Sequence, residues 1–126
     1  MAAMDPHFDG VIFQTHAAEL RRRLARPFPP FRLFDVRPRE AYEAGHIAGA
    51  QPLTAAQLGD HLPTGATPST ELFVVGRGPG DPAVRELALA LRRLGAQRVV
   101  EFSGGMHEWI ERGGPVEAAG VEAKAA

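Results

Sequence analysis

Short apolar runs alternate with amphipathic helical segments along most of the chain, and this alternation constrains the fold more than any other feature. Residues 31–36 and 71–75 are nearly continuous apolar runs, which is typical of strands buried on both faces. Residues 82–94 instead repeat their apolar side chains at helical spacing. Because parallel strands need crossover connections, the pattern predicts an α/β fold in which helices cover both faces of a parallel sheet.

Local start and stop signals predict the remaining elements. Thr15 is expected to cap a helix over 16–25 whose three arginines, Arg21 to Arg23, face water. Further helices are predicted at 39–44, 55–62 and 106–112, and further strands at 11–13, near 51–53 and at 98–102. The predicted organisation is an N-terminal lead-in at 1–10, one domain at 11–117 and a disordered tail at 118–126.

Composition excludes several classes of function. The formal net charge is −1 over 126 residues, so neither nucleic acid nor an anionic membrane is an expected partner. No apolar stretch reaches the ~20 residues that cross a bilayer, and no secretory signal is recognisable at the N-terminus. The chain has no cysteine, which excludes disulfides and thiolate metal sites. A cytoplasmic location is expected.

Two stretches carry short motifs in a fixed order. The first comprises Asp35-Val36-Arg37, Tyr42, Gly45-His46-Ile47 and Gly49-Ala50. The second comprises Phe102, Gly104-Gly105-Met106, Trp109 and Gly114-Pro115-Val116. Together with the alternation of strands and helices, these two stretches resemble the two signature segments of the rhodanese family. The resemblance extends over nearly all of 11–116. The resemblance implies a rhodanese-like three-layer sandwich with a central, mostly parallel sheet of about five strands.

Several motif residues also have a physical interpretation of their own. Asp35 and Arg37 are expected to form a network that ties a strand to the following loop. His46 is expected to be a buried, hydrogen-bonding histidine, because no second histidine or carboxylate stands at metal-ligand spacing. Trp109 is interpreted as a lid on the core and His107 as a surface residue. No metal and no cofactor are therefore predicted.

The segment between the two signatures is where the resemblance implies catalysis. In the rhodanese family a cysteine follows the central strand, and loop amides and the next helix stabilise its anionic persulfide. Here the corresponding position is Gly76 or Arg77, neither of which can form a persulfide. Residues 76–82 contain no serine, threonine or lysine that could replace the cysteine as nucleophile.

An anion-binding role for the same loop has to be weighed against a structural one. Gly76, Gly78 and Gly80 would expose amides as an anion nest, with Arg77 as the counter-charge. However, Asp81 is predicted to cap the next helix, and its carboxylate would occupy amides and repel an anion. A structural loop is the favoured interpretation, and a weak anion site stays open.

The sequence thus predicts a rhodanese-like domain that does not transfer sulfur and has a binding or regulatory role. Its expected partner is another protein or a second copy of the same chain. Two alternatives stay open at this point. One is an accessory of a sulfur-relay pathway that docks a persulfide carrier, and the other is an enzyme of different chemistry that uses Arg77, Asp81 and His46.

Overall fold

A five-stranded parallel sheet forms the centre of the computed structural model, which describes residues 12–118. The strand order is β1-β6-β5-β2-β4, and a second sheet pairs β3 with β7. The strands are β1 Phe13–Thr15, β2 Phe31–Asp35, β3 His46–Ile47, β4 Gln51–Pro52, β5 Glu71–Val75, β6 Arg98–Phe102 and β7 Val116–Glu117. The helices are α1 Ala17–Leu24, α2 Arg39–Ala44, α3 Ala55–Leu58, α4 Pro82–Arg93 and α5 Gly105–Glu111. This arrangement confirms the predicted α/β class.

Alternate residues of each central strand point to opposite faces of the sheet and build two cores. On one face, Leu33, Phe73 and Phe102 pack with α1 and α5, and Tyr42 of α2 packs against this cluster. On the other face, Phe34, Val74 and neighbouring residues pack with α4, and Leu58 of α3 joins them. The sheet therefore lies between two helical layers, as its apolar strands require.

Helix α4 is the main helix of the second core. Its apolar side chains Val84, Leu87 and Leu91 are all buried, while Arg85 and Glu86 face solvent. Asp81 at the N-cap and Pro82 at the first helical position start the helix as predicted.

Replacing Leu91 with alanine should lower the free energy of unfolding by about 2–5 kcal/mol. Leu91 is fully buried between α4 and the sheet, so truncation leaves a cavity in a closely packed core. Urea unfolding followed by circular dichroism measures the loss. Glu86→Ala, on the exposed face of the same helix, serves as the control and should change stability by less than about 0.5 kcal/mol. A loss below 1 kcal/mol for Leu91→Ala would contradict the assignment of this face to the core.

Helix α1 departs from its sequence-based prediction in two ways. Arg23 does not face water: it is 7% exposed, and its Nε lies 2.8 Å from Glu71 Oε1. Its guanidinium also lies 4.6 Å from the centre of the Phe31 ring and donates to backbone carbonyls of the following loop. Thr15 does not cap the helix. The Ala17 N–H instead donates to Glu108 of α5 at 2.8 Å.

The second sheet was not predicted. His46 and Ile47 of β3 pair antiparallel with Glu117 and Val116 of β7, respectively. A two-residue strand has no measurable periodicity, so the sequence offers no signal for it. Helix α3 is also shorter than expected: Thr54 caps it as predicted, but the helix ends at Leu58 rather than at 62.

Some predictions concern residues outside the described range. The lead-in 1–10, the first residue of the predicted edge strand and all but Ala118 of the predicted tail lie outside 12–118. Within 12–118, no helix has the length and apolar content needed to span a bilayer.

Candidate functional site

The candidate site is the loop that joins β5 to α4, at the carboxyl end of a central strand. Parallel α/β sheets commonly place their binding groups at this edge. Gly76 follows Val75 directly and is buried, whereas Arg77 is exposed. The two candidate positions for a nucleophile thus have different environments, and only Gly76 lies inside the fold.

The Asp81 carboxylate accepts two hydrogen bonds from backbone amides on the inner side of this loop. Its Oδ1 accepts a hydrogen bond from the Ala83 N–H at 3.1 Å, which is the expected N-cap bond. Its Oδ2 accepts a second bond from the Arg77 N–H at 3.0 Å. One carboxylate therefore occupies both an amide of the loop and an amide of the helix start, the type of donor that an external anion would need.

The same carboxylate fills the space beside Gly76. A Cβ atom added at Gly76 would lie 2.5 Å from Asp81 Oδ2 and 2.6 Å from a methyl group of Val84. Both separations are shorter than van der Waals contact. A side chain at position 76 would require Asp81 and Val84 to move.

The start of α5 holds the loop in place. The Met106 N–H donates to the Gly76 carbonyl and the His107 N–H to the Arg77 carbonyl, both at 2.9 Å. Gly105 approaches the same segment so closely that a Cβ there would lie 2.6 Å from the Gly78 nitrogen. The second signature thus supports the loop by direct backbone contact.

A shallow groove of about 530 Å³ lies along the outside of the loop. Its lining consists of Arg77, Gly78, Pro79, Gly80, Asp81, Pro82 and His107. Arg77 and Asp81 therefore share this groove, but His46 does not contribute to it. His107 is exposed, as predicted, yet it lines the groove, because the start of α5 lies directly under the loop.

Asp35 and Arg37 form the expected structural network rather than part of the groove. Asp35 is fully buried and accepts from the backbone N–H of Arg37 at 2.9 Å and from its guanidinium at 2.9 Å. The Arg37 guanidinium also donates to the Gly45 carbonyl at 2.6 Å. The buried charge of Asp35 is thus paired, and the network ties the end of β2 to the end of α2.

His46 lies in a second polar cluster, beside the small antiparallel sheet. Its ring stacks on Tyr42 with centres 3.8 Å apart, and its Nδ1 lies 2.7 Å from the Tyr42 carbonyl oxygen. Glu117 approaches Nε2 at 3.7 Å and also accepts from the Gly49 N–H at 2.9 Å. Burial and the nearby carboxylates of Asp35 and Glu117 raise the pKa of the Tyr42 hydroxyl. The contacts of His46 with Tyr42 and Glu117 agree with the interpretation of His46 as a buried, hydrogen-bonding histidine.

Trp109 and the glycines of the second signature complete the supporting structure. Trp109 is 1% exposed and packs edge-on against Phe102, and its indole N–H donates to the Pro115 carbonyl at 2.9 Å. Gly104 leaves room for the Glu108 side chain. Among residues 12–118, no group of three histidine, aspartate or glutamate side chains is placed to hold a metal ion.

Replacing Asp81 with asparagine should strengthen sulfate binding at this loop and lower stability by about 1 kcal/mol. Asparagine caps helices well, but it has one acceptor oxygen and Asp81 uses two. Loss of the negative charge removes the repulsion of an anion. NMR titration with sulfate and urea unfolding measure the two effects, with the exposed Asp60→Asn as control. An unchanged sulfate affinity would show that this carboxylate does not keep anions out.

Comparison with known families agrees with this geometry. Residues 16–112 match the Rhodanese-like domain family, and this range includes the loop, the first signature and the second signature as far as Trp109. The chain belongs to this family. The rhodanese-like domain has thus kept its sheet, its two signature segments and its loop, although its sequence contains no cysteine.

Relatives of this rhodanese-like domain include solved structures and a larger protein. The rhodanese-like domain of an Anabaena protein is 32% identical, with a TM-score of 0.72 and coverage of 89% of each chain. A human single-domain sulfurtransferase is 25% identical, with a TM-score of 0.66 and coverage of 79% of this chain and 96% of its own. An HTH-type transcriptional regulator of Mycobacterium tuberculosis is 36% identical over 103 residues, which are 82% of this chain and 43% of the regulator. The chain therefore spans less than half of that regulator.

Proposed function

We propose that this rhodanese-like domain transfers no sulfur and serves as a binding or regulatory domain. The observation that carries the proposal is the position of Asp81. Sulfur transfer in this fold needs a thiolate at the start of the loop, held by backbone amides. Here Gly76 takes the buried first position, and the Asp81 carboxylate fills the space beside it and uses the Arg77 amide.

The position of the missing cysteine is part of this proposal. Gly76 directly follows β5 and faces the interior, whereas the side chain of Arg77 lies at the surface. We therefore place the vestigial nucleophile position at Gly76. Arg77 would then be a residue of the outer groove.

The regulatory part of the proposal is supported by the transcriptional regulator from M. tuberculosis. That protein contains a segment 36% identical to this chain and more than half of its length lies outside the match. A domain of this family can thus form part of a larger regulator. A domain without a nucleophile is suited to such a role, since binding needs only a surface.

Assays of sulfur transfer test the proposal directly. The purified protein should produce no thiocyanate from thiosulfate and cyanide, and no pyruvate and sulfide from mercaptopyruvate with dithiothreitol as the reducing sulfur acceptor, above a protein-free control. An established sulfurtransferase, assayed in parallel, shows that each assay responds. Sustained turnover that increases in proportion to protein concentration would disprove the absence of sulfur transfer.

The two alternatives receive less support from the geometry. An enzyme of different chemistry that combined Arg77, Asp81 and His46 would need these groups in one groove, and His46 does not line it. Asp81 is also already hydrogen-bonded to two amides. An accessory of a sulfur-relay pathway would need a surface for a carrier protein, which is a special case of the proposed binding role.

A further inference from the structure

A groove of about 500 Å³ lies between α1 and the end of α5, away from the cysteine-less loop. Its apolar floor includes the exposed Ala18 and Ala25, and the buried Trp109 lies beneath them. Arg21, Arg22 and Arg112 stand around this floor and are exposed. The groove therefore combines a small apolar surface with three positive charges.

The two sides of the groove are held together by specific contacts. Glu108 of α5 accepts from the Ala17 N–H, which supplies the start of α1 with its cap. The Trp109 indole is fixed by its bond to Pro115 and by its contact with Phe102. A partner would thus meet a preformed surface, which reduces the entropic cost of binding.

The charges on this groove are unbalanced. Arg21, Arg22 and Arg112 form no ion pair with any residue of the described segment 12–118, and no carboxylate is among the lining residues. Other arginines differ in this respect, because Arg23 and Arg85 each pair with a glutamate. The partner that complements the groove carries negative charges beside apolar side chains.

We propose that the groove between α1 and α5 docks an acidic amphipathic peptide segment of a partner protein. Its apolar side chains would lie on Ala18 and Ala25, above the buried Trp109, and its carboxylates would pair with Arg21, Arg22 and Arg112. Arginine suits this role, since its planar guanidinium binds carboxylates in a bidentate manner. The proposal deepens the proposed binding role and rests on it.

A nucleic acid is the less favoured occupant. Nucleic-acid sites in proteins of this size usually form an extended basic face, whereas this groove has an apolar floor and the whole chain has a formal net charge of −1. The apolar floor would stay unused against a phosphate backbone. An acidic peptide uses both parts of the groove.

A binding experiment with three probes separates these cases. The first probe is a short fluorescein-labelled peptide with one face of leucines and one of glutamates. The second replaces its glutamates with glutamines, and the third is a labelled DNA duplex of similar length. Fluorescence polarisation measures affinity at low and high salt, and the emission of Trp109, the only tryptophan of the chain, reports binding near the groove.

Single substitutions locate the site. Arg21→Glu and Arg112→Glu should each weaken binding of the glutamate peptide by about fivefold or more, mainly at low salt. Arg39→Glu makes the same change in net charge on exposed α2 and should have little effect. Ala18→Gln narrows the groove without a change in charge and should also weaken binding. Circular dichroism confirms that each variant is folded.

The outcomes are distinguishable. Binding of the glutamate peptide that is weakened by the groove variants, and is stronger than that of the glutamine peptide and DNA, supports the proposal. Equal binding of the glutamine peptide, tighter binding of DNA, an equal effect of Arg39→Glu, or no binding of the glutamate peptide would each overturn it. Failure here would leave the absence of sulfur transfer standing, since that claim is tested by turnover alone.

Discussion

Replacement of Gly105 with alanine should lower the free energy of unfolding by about 3 kcal/mol or more. Gly105 has a φ of +61°, which disfavours any residue with a Cβ. An added Cβ would also lie 2.6 Å from the Gly78 nitrogen and 2.7 Å from backbone atoms of Arg77 and Gly76. These are backbone atoms, so the strain cannot be relieved by rotation of a side chain. Urea unfolding followed by circular dichroism measures the loss.

Gly113 provides a matched control for this substitution. Its φ is +74°, but a Cβ there would meet no atom within 4 Å. Gly113→Ala should therefore cost only the conformational penalty, about 1–2 kcal/mol. The difference between the two variants isolates the contact between α5 and the loop. Equal losses for Gly105→Ala and Gly113→Ala would contradict the close approach of α5 to the loop.

Through this contact the second signature supports the loop, although the two are far apart in sequence. Gly105 brings the start of α5 against residues 76–78, and the Met106 and His107 amides then bind the loop carbonyls. The start of α5 thus holds the loop in place by backbone contacts, although the loop contains no nucleophile. The fold itself needs this contact, because the loop connects a central strand to α4.

The sequence predicts the central strands of the sheet well because each of them consists mostly of apolar residues. Strands β5 and β6 span the predicted residues, 71–75 and 98–102, although each begins with a charged residue and β6 also contains Glu101. Helix α4 starts as predicted because Asp81 and Pro82 act locally, through the first turn of the helix. Such features depend on neighbours in sequence, so they can be read without knowledge of the fold.

Other features depend on distant residues and could not be predicted. Arg23 is part of an arginine run that suggests an exposed face, and its burial depends on Glu71, 48 residues away. The cap of α1 comes from Glu108, 91 residues along the chain. In the candidate site, the N-cap bond of Asp81 was predictable, but its bond to the Arg77 amide depends on the path of the loop.

Introducing a cysteine at Gly76 should destabilise the protein by about 1–3 kcal/mol, which is the usual cost of overpacking. The new side chain would collide with Asp81 Oδ2 and with a methyl group of Val84. The loss should shrink when Asp81 is replaced by serine, which still caps the helix but is smaller and uncharged. In a double-mutant cycle, Gly76→Cys and Asp81→Ser should therefore couple favourably by about 1 kcal/mol or more.

Thiol reactivity gives the same cycle a second measurement. A thiolate beside the Asp81 carboxylate is disfavoured, because like charges repel. The cysteine at position 76 should therefore react faster with Ellman's reagent at neutral pH in the double variant than in Gly76→Cys alone. Faster reaction together with favourable coupling would show that Asp81 excludes both the volume and the charge of a nucleophile.

Gly78 supplies the control for the cycle. A Cβ at Gly78 would meet nothing closer than 3.4 Å, so Gly78→Cys should combine additively with Asp81→Ser, within about 0.5 kcal/mol. If Gly76→Cys and Asp81→Ser are also additive within about 0.5 kcal/mol, the Asp81 side chain does not occupy the space that a cysteine at position 76 would need. The proposed absence of sulfur transfer would then rest on the absence of a thiol alone, and Gly76→Cys would by itself be enough to test for sulfur transfer.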